Sequence, residues 1–269
     1  MDSGNSEDYD PHMDTESEMQ SFLANGYLHR RGVFSAAELD RLRAAFTAAG
    51  ARRGGKVSQP ETLAQPDLVA LLDHEGLVGP ITALFGAQSQ MLSLDTLYQG
   101  PHDSGPERHW HRDFNVPGDW PLSVNTITYL DDMAPERGPT LVIPGSHRGL
   151  AGPPPDRLGE PLPGEVAVPA RAGDVVFINA SIWHSGGRNH SAGERRAIYT
   201  YFGWWWLKRY DLDRALPAEA YRGATPRRLR LLGIDPPLYD LHAFPIAGTV
   251  LERLAGAHHP SGSRAIVAE

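Results

Sequence analysis

The sequence predicts a mainly β domain of the sandwich, jelly-roll or barrel kind, flanked by helices. Three observations carry that prediction. From about residue 90, short β-rich stretches recur at 90–98, 108–114, 122–131, 140–143, 165–168, 174–180 and 195–205, separated by Gly, Pro, Asp and Asn. Helical periodicity is confined to the flanks, before residue 90 and after 207. The chain has 269 residues, 41% hydrophobic and 22% charged, an ordinary globular balance that can bury a sizeable core.

The elements follow in order. Residues 1–20 hold seven acids and no Lys or Arg, a composition that predicts a disordered acidic leader. Residues 21–269 are then one domain. Ser35-Ala-Ala-Glu38 fits a capping box, in which serine and glutamate side chains satisfy free backbone N–H groups at a helix start. Leu39, Leu42, Ala45, Phe46 and Ala49 recur at helical spacing, and Gly50 ends the run. A second helix is expected over 67–85, kinked or broken by Gly76, Gly79 and Pro80. After the first strands, residues 149–164 contain five prolines and four glycines, a structureless connection that reads equally as a lid over a site or as a surface excursion. Beyond 207 the pattern becomes helical, and the Arg227 to Arg230 cluster reads as a solvated helix face.

Composition excludes several functions. With no cysteine there are no disulfides, iron–sulfur clusters or thiolate zinc sites, so a bound metal must be held by nitrogen and oxygen. No apolar run is long enough to span a bilayer, and the first twenty residues lack the basic-then-apolar pattern of a signal peptide, so a cytoplasmic protein is expected. Outside the leader, 26 acids face 25 bases, which gives no electrostatic reason to expect nucleic acid or an anionic membrane as partner. The oligomeric state is left open.

The chemistry concentrates in His109-Trp-His111-Arg-Asp113. In an extended strand alternate side chains share a face, so His111 and Asp113 can grip one metal ion, with His109 in a supporting place. A mononuclear iron(II) centre needs a third ligand, and His184, just past the expected strand 174–180, is the best source. Arg195 opens the last strand. Its planar fork binds carboxylates and stays charged when buried, where it needs an anion to offset desolvation. On that strand Ala197, Tyr199 and Tyr201 share the face of Arg195, whereas Ile198, Phe202 and Trp204 point outward. Asn125, Ile127 and Tyr129 alternate onto one face of their strand.

FLANGYLHRRGVFSAAELDRLR (22–43), YLDDMAPERGPTLVIPGSHRG (129–149) and GDVVFINASIWHSGGRNHSAGERRAI (173–198), taken with the His-x-Asp pair, resemble the phytanoyl-CoA dioxygenase family of iron(II)/2-oxoglutarate oxygenases. The resemblance covers about residues 20–205 and narrows the fold to a double-stranded β-helix, the cupin-like jelly roll. It implies that His111, Asp113 and His184 bind iron(II). It further implies that Arg195 anchors the far carboxylate of 2-oxoglutarate and that Thr140 touches the same cosubstrate. The implied reaction consumes dioxygen, releases succinate and carbon dioxide, and oxidises a C–H bond of a small molecule, such as a specialised metabolite. In halogenating relatives the carboxylate ligand is replaced by a small residue; its presence as Asp113 favours hydroxylation or a related oxidation over halogenation. Where the family often has a serine two residues after the distal histidine, this chain has Gly186. Rival expectations are desaturation, epoxidation, ring closure or epimerisation on the same centre, a jelly-roll binding module without redox turnover, and a zinc hydrolase.

Overall fold

The computed structural model describes residues 15–50, 55–58, 60–209 and 216–234. In chain order the helices are α1 (Thr15–Asn25), α2 (Ala36–Ala48), α3 (Pro66–Val69), α4 (Glu75–Phe85), α5 (Ala218–Tyr221) and α6 (Pro226–Leu231). The strands are β1 (Tyr27–Arg30), β2 (Gly55–Val57), β3 (Ser89–Gln99), β4 (Ser123–Tyr129), β5 (Thr140–Val142), β6 (Val166–Val168), β7 (Val175–Asn179), β8 (His184–Gly186) and β9 (Arg195–Trp204). They form a six-stranded sheet in the order β1-β7-β4-β9-β3-β2 and a three-stranded sheet in the order β6-β5-β8, with every pairing antiparallel. Two facing antiparallel sheets with helices on one flank make a cupin-like jelly roll.

Alternation along the strands sorts the core. Ile198, Phe202 and Trp204 of β9, Val124 of β4 and Phe177 of β7 face outward and pack with Phe46, Leu77, Ile81 and Phe85 of the helices. Ile127, Tyr129, Val142, Val168, Val176 and Ile178 form a second cluster between the sheets. Each such side chain contributes roughly 1.5–3 kcal/mol by leaving water. Trp204 meets Phe85 edge-on, with ring centroids 4.9 Å apart, and its indole N–H donates to Pro121 O at 3.2 Å.

The capping box holds: Ser35 Oγ accepts from Glu38 N, and the Glu38 carboxylate accepts from Ser35 N at 2.8 Å. Three expectations need correction. Residues 15–20, assigned to the leader by their acidity, are helical, because Met19, Phe22 and Leu23 form a buried stripe and Glu18 pairs with Arg30 at 2.6 Å. The leader's residues 1–14 lie outside the described residues. The 67–85 helix breaks at His74, in extended backbone, while Gly76, Gly79 and Pro80 all remain inside α4. Residues 108–114 are extended but form no regular strand, since their one ladder partner is the bridge His111–His184 and other backbone groups bond to loops.

The Arg227 to Arg230 cluster is less solvated than its charge predicts. Arg227 pairs with Glu75 at 2.6 Å and Arg228 Nε donates to Asp73 at 2.7 Å, which docks α6 beside the break between α3 and α4. The rest of the expected helical extension, residues 210–215 and 235–269, lies outside the described residues. Among the described residues no single helix is long and apolar enough to cross a membrane.

Asp174 fastens the entry of β7. Its carboxylate accepts from His29 Nε2 at 2.9 Å and from the backbone N–H groups of Gly32 and Arg171 at 2.8 Å each. Burial alone pushes its pKa up, but these three donors hold it below the ordinary aspartate value. A depressed folded pKa contributes stability above the unfolded value, near 3.9, that is lost as pH falls through the folded value. Asp174→Asn should therefore cost about 1–3 kcal/mol at neutral pH, a deficit that narrows below about pH 4. Urea unfolding of both proteins across pH 3–7 measures this.

Candidate metal centre

Two short stretches of chain meet at the mouth of the roll. His111 and His184 exchange both backbone hydrogen bonds, each 3.0 Å, across an isolated antiparallel bridge. Such a pair puts side chains of like orientation side by side. Their rings lie 4.2 Å apart by centroid. Asp113, two residues along, brings its Oδ1 to 3.9 Å from His111 Nε2 and 3.8 Å from His184 Nε2. These separations are too long for hydrogen bonds and suit three ligands converging on a common point. One ligand atom from each residue lies within 4.8 Å of the others.

The imidazoles are oriented from behind. His111 Nδ1 is 2.8 Å from His109 O, and His184 Nδ1 is 3.1 Å from Ile182 O. A carbonyl can only accept, so each Nδ1 carries the proton and each Nε2 presents its lone pair to the shared point. Burial, and then the neighbouring His184, push the His111 pKa below its ordinary value, which favours the neutral ring that can ligate. Asn125 Nδ2 sits 3.4 Å from Asp113 Oδ2 and steadies the carboxylate. Two imidazole nitrogens and one carboxylate oxygen fit a divalent transition metal, with coordination positions left over.

The cavity beside this cluster measures about 290 Å³. Arg195, 3% exposed, enters its wall from the start of β9. The Nη1 of Arg195 donates to Gln99 Oε1 and, at 3.1 Å, to Gly187 O, both uncharged acceptors; its Nη2 is buried with no partner. Arg196, its neighbour, turns to the other face and forks Asp131, with Nη2 at 2.6 Å and Nε at 3.0 Å, which raises its pKa. Strand alternation thus separates the two arginines. Thr140 lines the cavity, and its hydroxyl lies 2.5 Å from the buried Tyr129 hydroxyl, whose pKa burial pushes up to about 12.

Tyr199 and Tyr201 line the same cavity, as do Asn125 and Ile127 from β4. Several lining groups escaped the sequence. Leu97 and Gln99 come from β3, whose register opposite Ala197 and Arg195 fixes their inward direction. Lys56 comes from β2, opposite Leu97, and its ammonium pairs with the buried Asp95 at 2.8 Å. Ser185 Oγ accepts from His109 N at 2.7 Å, so His109 supports the site through its backbone while its ring faces the cavity. No local pattern could have revealed these. No residue of the 149–164 connection is among those that line the cavity. At Gly186 an added Cβ would stand 3.7 Å from Arg195 Nη1, an ordinary contact.

A jelly roll carrying a His-x-Asp pair, a distal histidine and a cavity-facing arginine belongs with the metal-binding cupin-like folds. More closely, the chain belongs to the phytanoyl-CoA dioxygenase (PhyH) family, whose model matches residues 22–197. A dioxygenase of Aspergillus fumigatus is 28% identical over 173 residues, 63% of this chain and 52% of that protein. An uncharacterized protein of Mycobacterium tuberculosis is 32% identical over 126 residues, 46% and 45% of the two chains. The chain spans about half the length of these curated relatives. Among solved structures, the non-heme α-ketoglutarate-dependent carbocyclase SnoK from nogalamycin biosynthesis is similar, at 27% identity and TM-score 0.58 over 70% of this chain and 83% of that one. HygX from Streptomyces hygroscopicus, solved with nickel and 2-oxoglutarate bound, shares the fold at 19% identity and TM-score 0.59, over 72% and 88%.

Gly138 secures the seam between Thr140 and the arginine's partner. Its φ is +70°, and an added Cβ would stand 2.5 Å from the backbone of Gly187. Gly138→Ala should cost on the order of 1–3 kcal/mol in urea unfolding, from strain and displacement of Gly187.

Proposed function

We propose that this protein is an iron(II)- and 2-oxoglutarate-dependent oxygenase that hydroxylates an unactivated C–H bond of a small, uncharged organic molecule. The observation that carries this reading is Arg195. A guanidinium buried to 3% exposure, with neutral acceptors on one nitrogen and no hydrogen bond on the other, faces a cavity that His111 and His184 also line, with Asp113 beside both imidazoles. Such a charge is costly without an anion. A dicarboxylate that chelates a metal at one end and ends in a second carboxylate supplies that anion. Neither a zinc hydrolase nor a redox-silent binding module gives Arg195 this task.

In this reading His111, Asp113 and His184 hold the iron, Arg195 pairs with the distal carboxylate of 2-oxoglutarate, and Thr140 lies beside it. Bound there, iron(II) with 2-oxoglutarate and dioxygen supplies oxidising power for one C–H bond per turnover, with succinate and carbon dioxide released. The chain's own work is orientation. Carbonyls of residues 109 and 182 fix the imidazoles, Asn125 steadies Asp113, and the tyrosines and Leu97 shape the space in which the substrate must sit.

Charge matching supports an uncharged substrate. The cosubstrate would neutralise Arg195, and Asp95 neutralises Lys56, so among the described lining residues neither cation is left over for an anionic substrate. Acyl-CoA phosphates would meet no free cation there, and Arg227 and Arg228 are engaged by Glu75 and Asp73. A second outcome on the same centre, ring closure in place of hydroxylation, is favoured by the likeness to SnoK, a carbocyclase.

Purified protein given iron(II) and 2-oxoglutarate should release succinate, faster with the right member of a panel of uncharged metabolites. His111→Ala and His184→Ala should abolish release. Arg195→Ala should raise the KM for 2-oxoglutarate on the order of 10- to 100-fold, the worth of a lost charge-assisted pair. An unchanged KM in that variant would remove the anchor assignment. Mass analysis of the product separates an added oxygen from a loss of two hydrogens.

A further inference from the structure

The segment 108–113 presents its side chains alternately. His109 and His111 line the cavity, and Asp113 turns to the same two imidazoles. The even-numbered residues go the other way, and each ends on the connection that runs from Ser146 to Glu165. Arg108 forks Glu165, with Nη2 to Oε1 at 2.7 Å and Nε to Oε2 at 3.2 Å. Trp110, 1% exposed, donates its indole N–H to Glu160 O at 2.9 Å and its backbone N–H to Leu158 O at 3.0 Å. Arg112 Nη2 donates to Ser146 O at 2.6 Å and Gly149 O at 2.7 Å, with Ala151 O a longer third neighbour at 3.3 Å.

Arg112 also stacks. Its guanidinium carbon lies 5.0 Å from the ring of Trp183, and the Trp183 indole N–H donates to Ala151 O at 3.1 Å. At Gly152 a Cβ would stand 2.2 Å from the Trp183 ring, so only glycine lets the chain pass so close. Arg112 sits between His111 and Asp113, and Trp183 immediately precedes His184. The stack therefore joins the two segments that carry the three ligands, on the side away from the cavity.

We propose that the 149–165 segment is a buttress of the metal centre and that Arg112 is its principal positioning residue. Arg112 presses the His111–Asp113 segment against Trp183–His184 and ties both to the buttress, so order in 149–165 and metal affinity rise and fall together. The inference rests on the metal-centre reading proposed above. Linkage makes it reciprocal: a metal that binds more tightly when the segment is ordered must itself order the segment. Outer contacts of this kind change metal affinity by roughly 10- to 100-fold.

The test uses manganese(II) alone as probe, with calorimetric affinity and hydrogen exchange of the 149–165 amides read by mass spectrometry on the full chain. Wild-type protein should bind manganese, and exchange across 149–165 should slow when it does. Arg112→Ala should bind about 10-fold more weakly, exchange faster over 149–165, and lose the slowing by metal. Arg112→Lys keeps a cation near Trp183 but loses the planar guanidinium whose Nη2 reaches Ser146 O and Gly149 O, so it should recover part of the affinity. If Arg112→Ala does not fold, Trp183→Phe keeps the ring and removes the bond to Ala151 O; it should show the same loss of coupling in weaker form. Wild-type affinity in a folded Arg112→Ala or Trp183→Phe, or exchange over 149–165 indifferent to metal in wild type, would overturn the buttress while leaving the metal centre standing. If wild type and Asp113→Ala take up manganese equally poorly, the metal-centre reading falls and the buttress with it.

Discussion

Two backbone hydrogen bonds between His111 and His184, each 3.0 Å, hold together everything that the site can do. They join segments 73 residues apart in the chain, through an isolated bridge on the His111 side and strand β8, itself paired with β5, on the His184 side. An antiparallel pair that exchanges both bonds fixes the separation and facing of its two residues. The two imidazoles then need only rotation about their side-chain bonds, and the same local device sets each: a carbonyl two residues earlier accepts a hydrogen bond from Nδ1–H. Asp113, two residues along, sits in a bend that carries its carboxylate to within 3.9 Å of both imidazoles. One non-local pairing thus brings three candidate ligands together.

Electrostatics around the cavity is arranged by the same alternation. Arg195 and Arg196 are adjacent and chemically identical, yet one is matched by Asp131 and the other by no carboxylate among the described residues. The unmatched guanidinium is the more deeply buried of the two side chains. A protein selected for stability alone would gain by pairing it or replacing it with an apolar residue. Lys56 and Asp95 show the contrast within the same cavity, where a buried carboxylate has its cation at 2.8 Å. Among the described residues that line the cavity, Arg195 is the cation without a carboxylate partner.

What the sequence reveals depends on how local the cause is. The His111–Asp113 pair was legible from residue type and two-residue spacing, His184 and Arg195 from the motifs around them; strands β3, β4 and β9 were legible from their length, and β7 as a short buried apolar run bounded by a turn. Strands β1, β2 and β8 are three or four residues long and exist only because a neighbour supplies partners. Helix α1 was hidden by its acids, although Met19, Phe22 and Leu23 carry the helical spacing. Gln99 and Lys56 become cavity groups through register alone, which a single chain read in one dimension does not contain. The 108–114 stretch misled for the opposite reason: its composition suits a strand, but only His111 pairs with one, while Trp110 N bonds to Leu158 O and Phe114 N to Ala180 O in connections.

The composition of that connection suits what it bonds to. Proline contributes a carbonyl and no N–H, so the five prolines between 149 and 164 leave a surplus of acceptors and a shortage of donors. Left in water, such a segment has little reason to settle. Arginine and tryptophan side chains only donate, and these are what the metal-bearing segments extend toward it: Trp110 to Glu160 O, Arg112 to Ser146 O and Gly149 O, Trp183 to Ala151 O. Glycine at 152 removes the one Cβ that would strike the Trp183 ring. Because the acceptors are main-chain carbonyls, the match rests on backbone path more than on the identity of loop side chains. The Arg108–Glu165 fork is the exception, and it lies at the far end, where the connection enters β6. An acceptor-rich loop and donor-only side chains are thus complementary halves of one contact, and the segment that looked structureless in sequence is bonded by residues that alternate with, or adjoin, His111, Asp113 and His184.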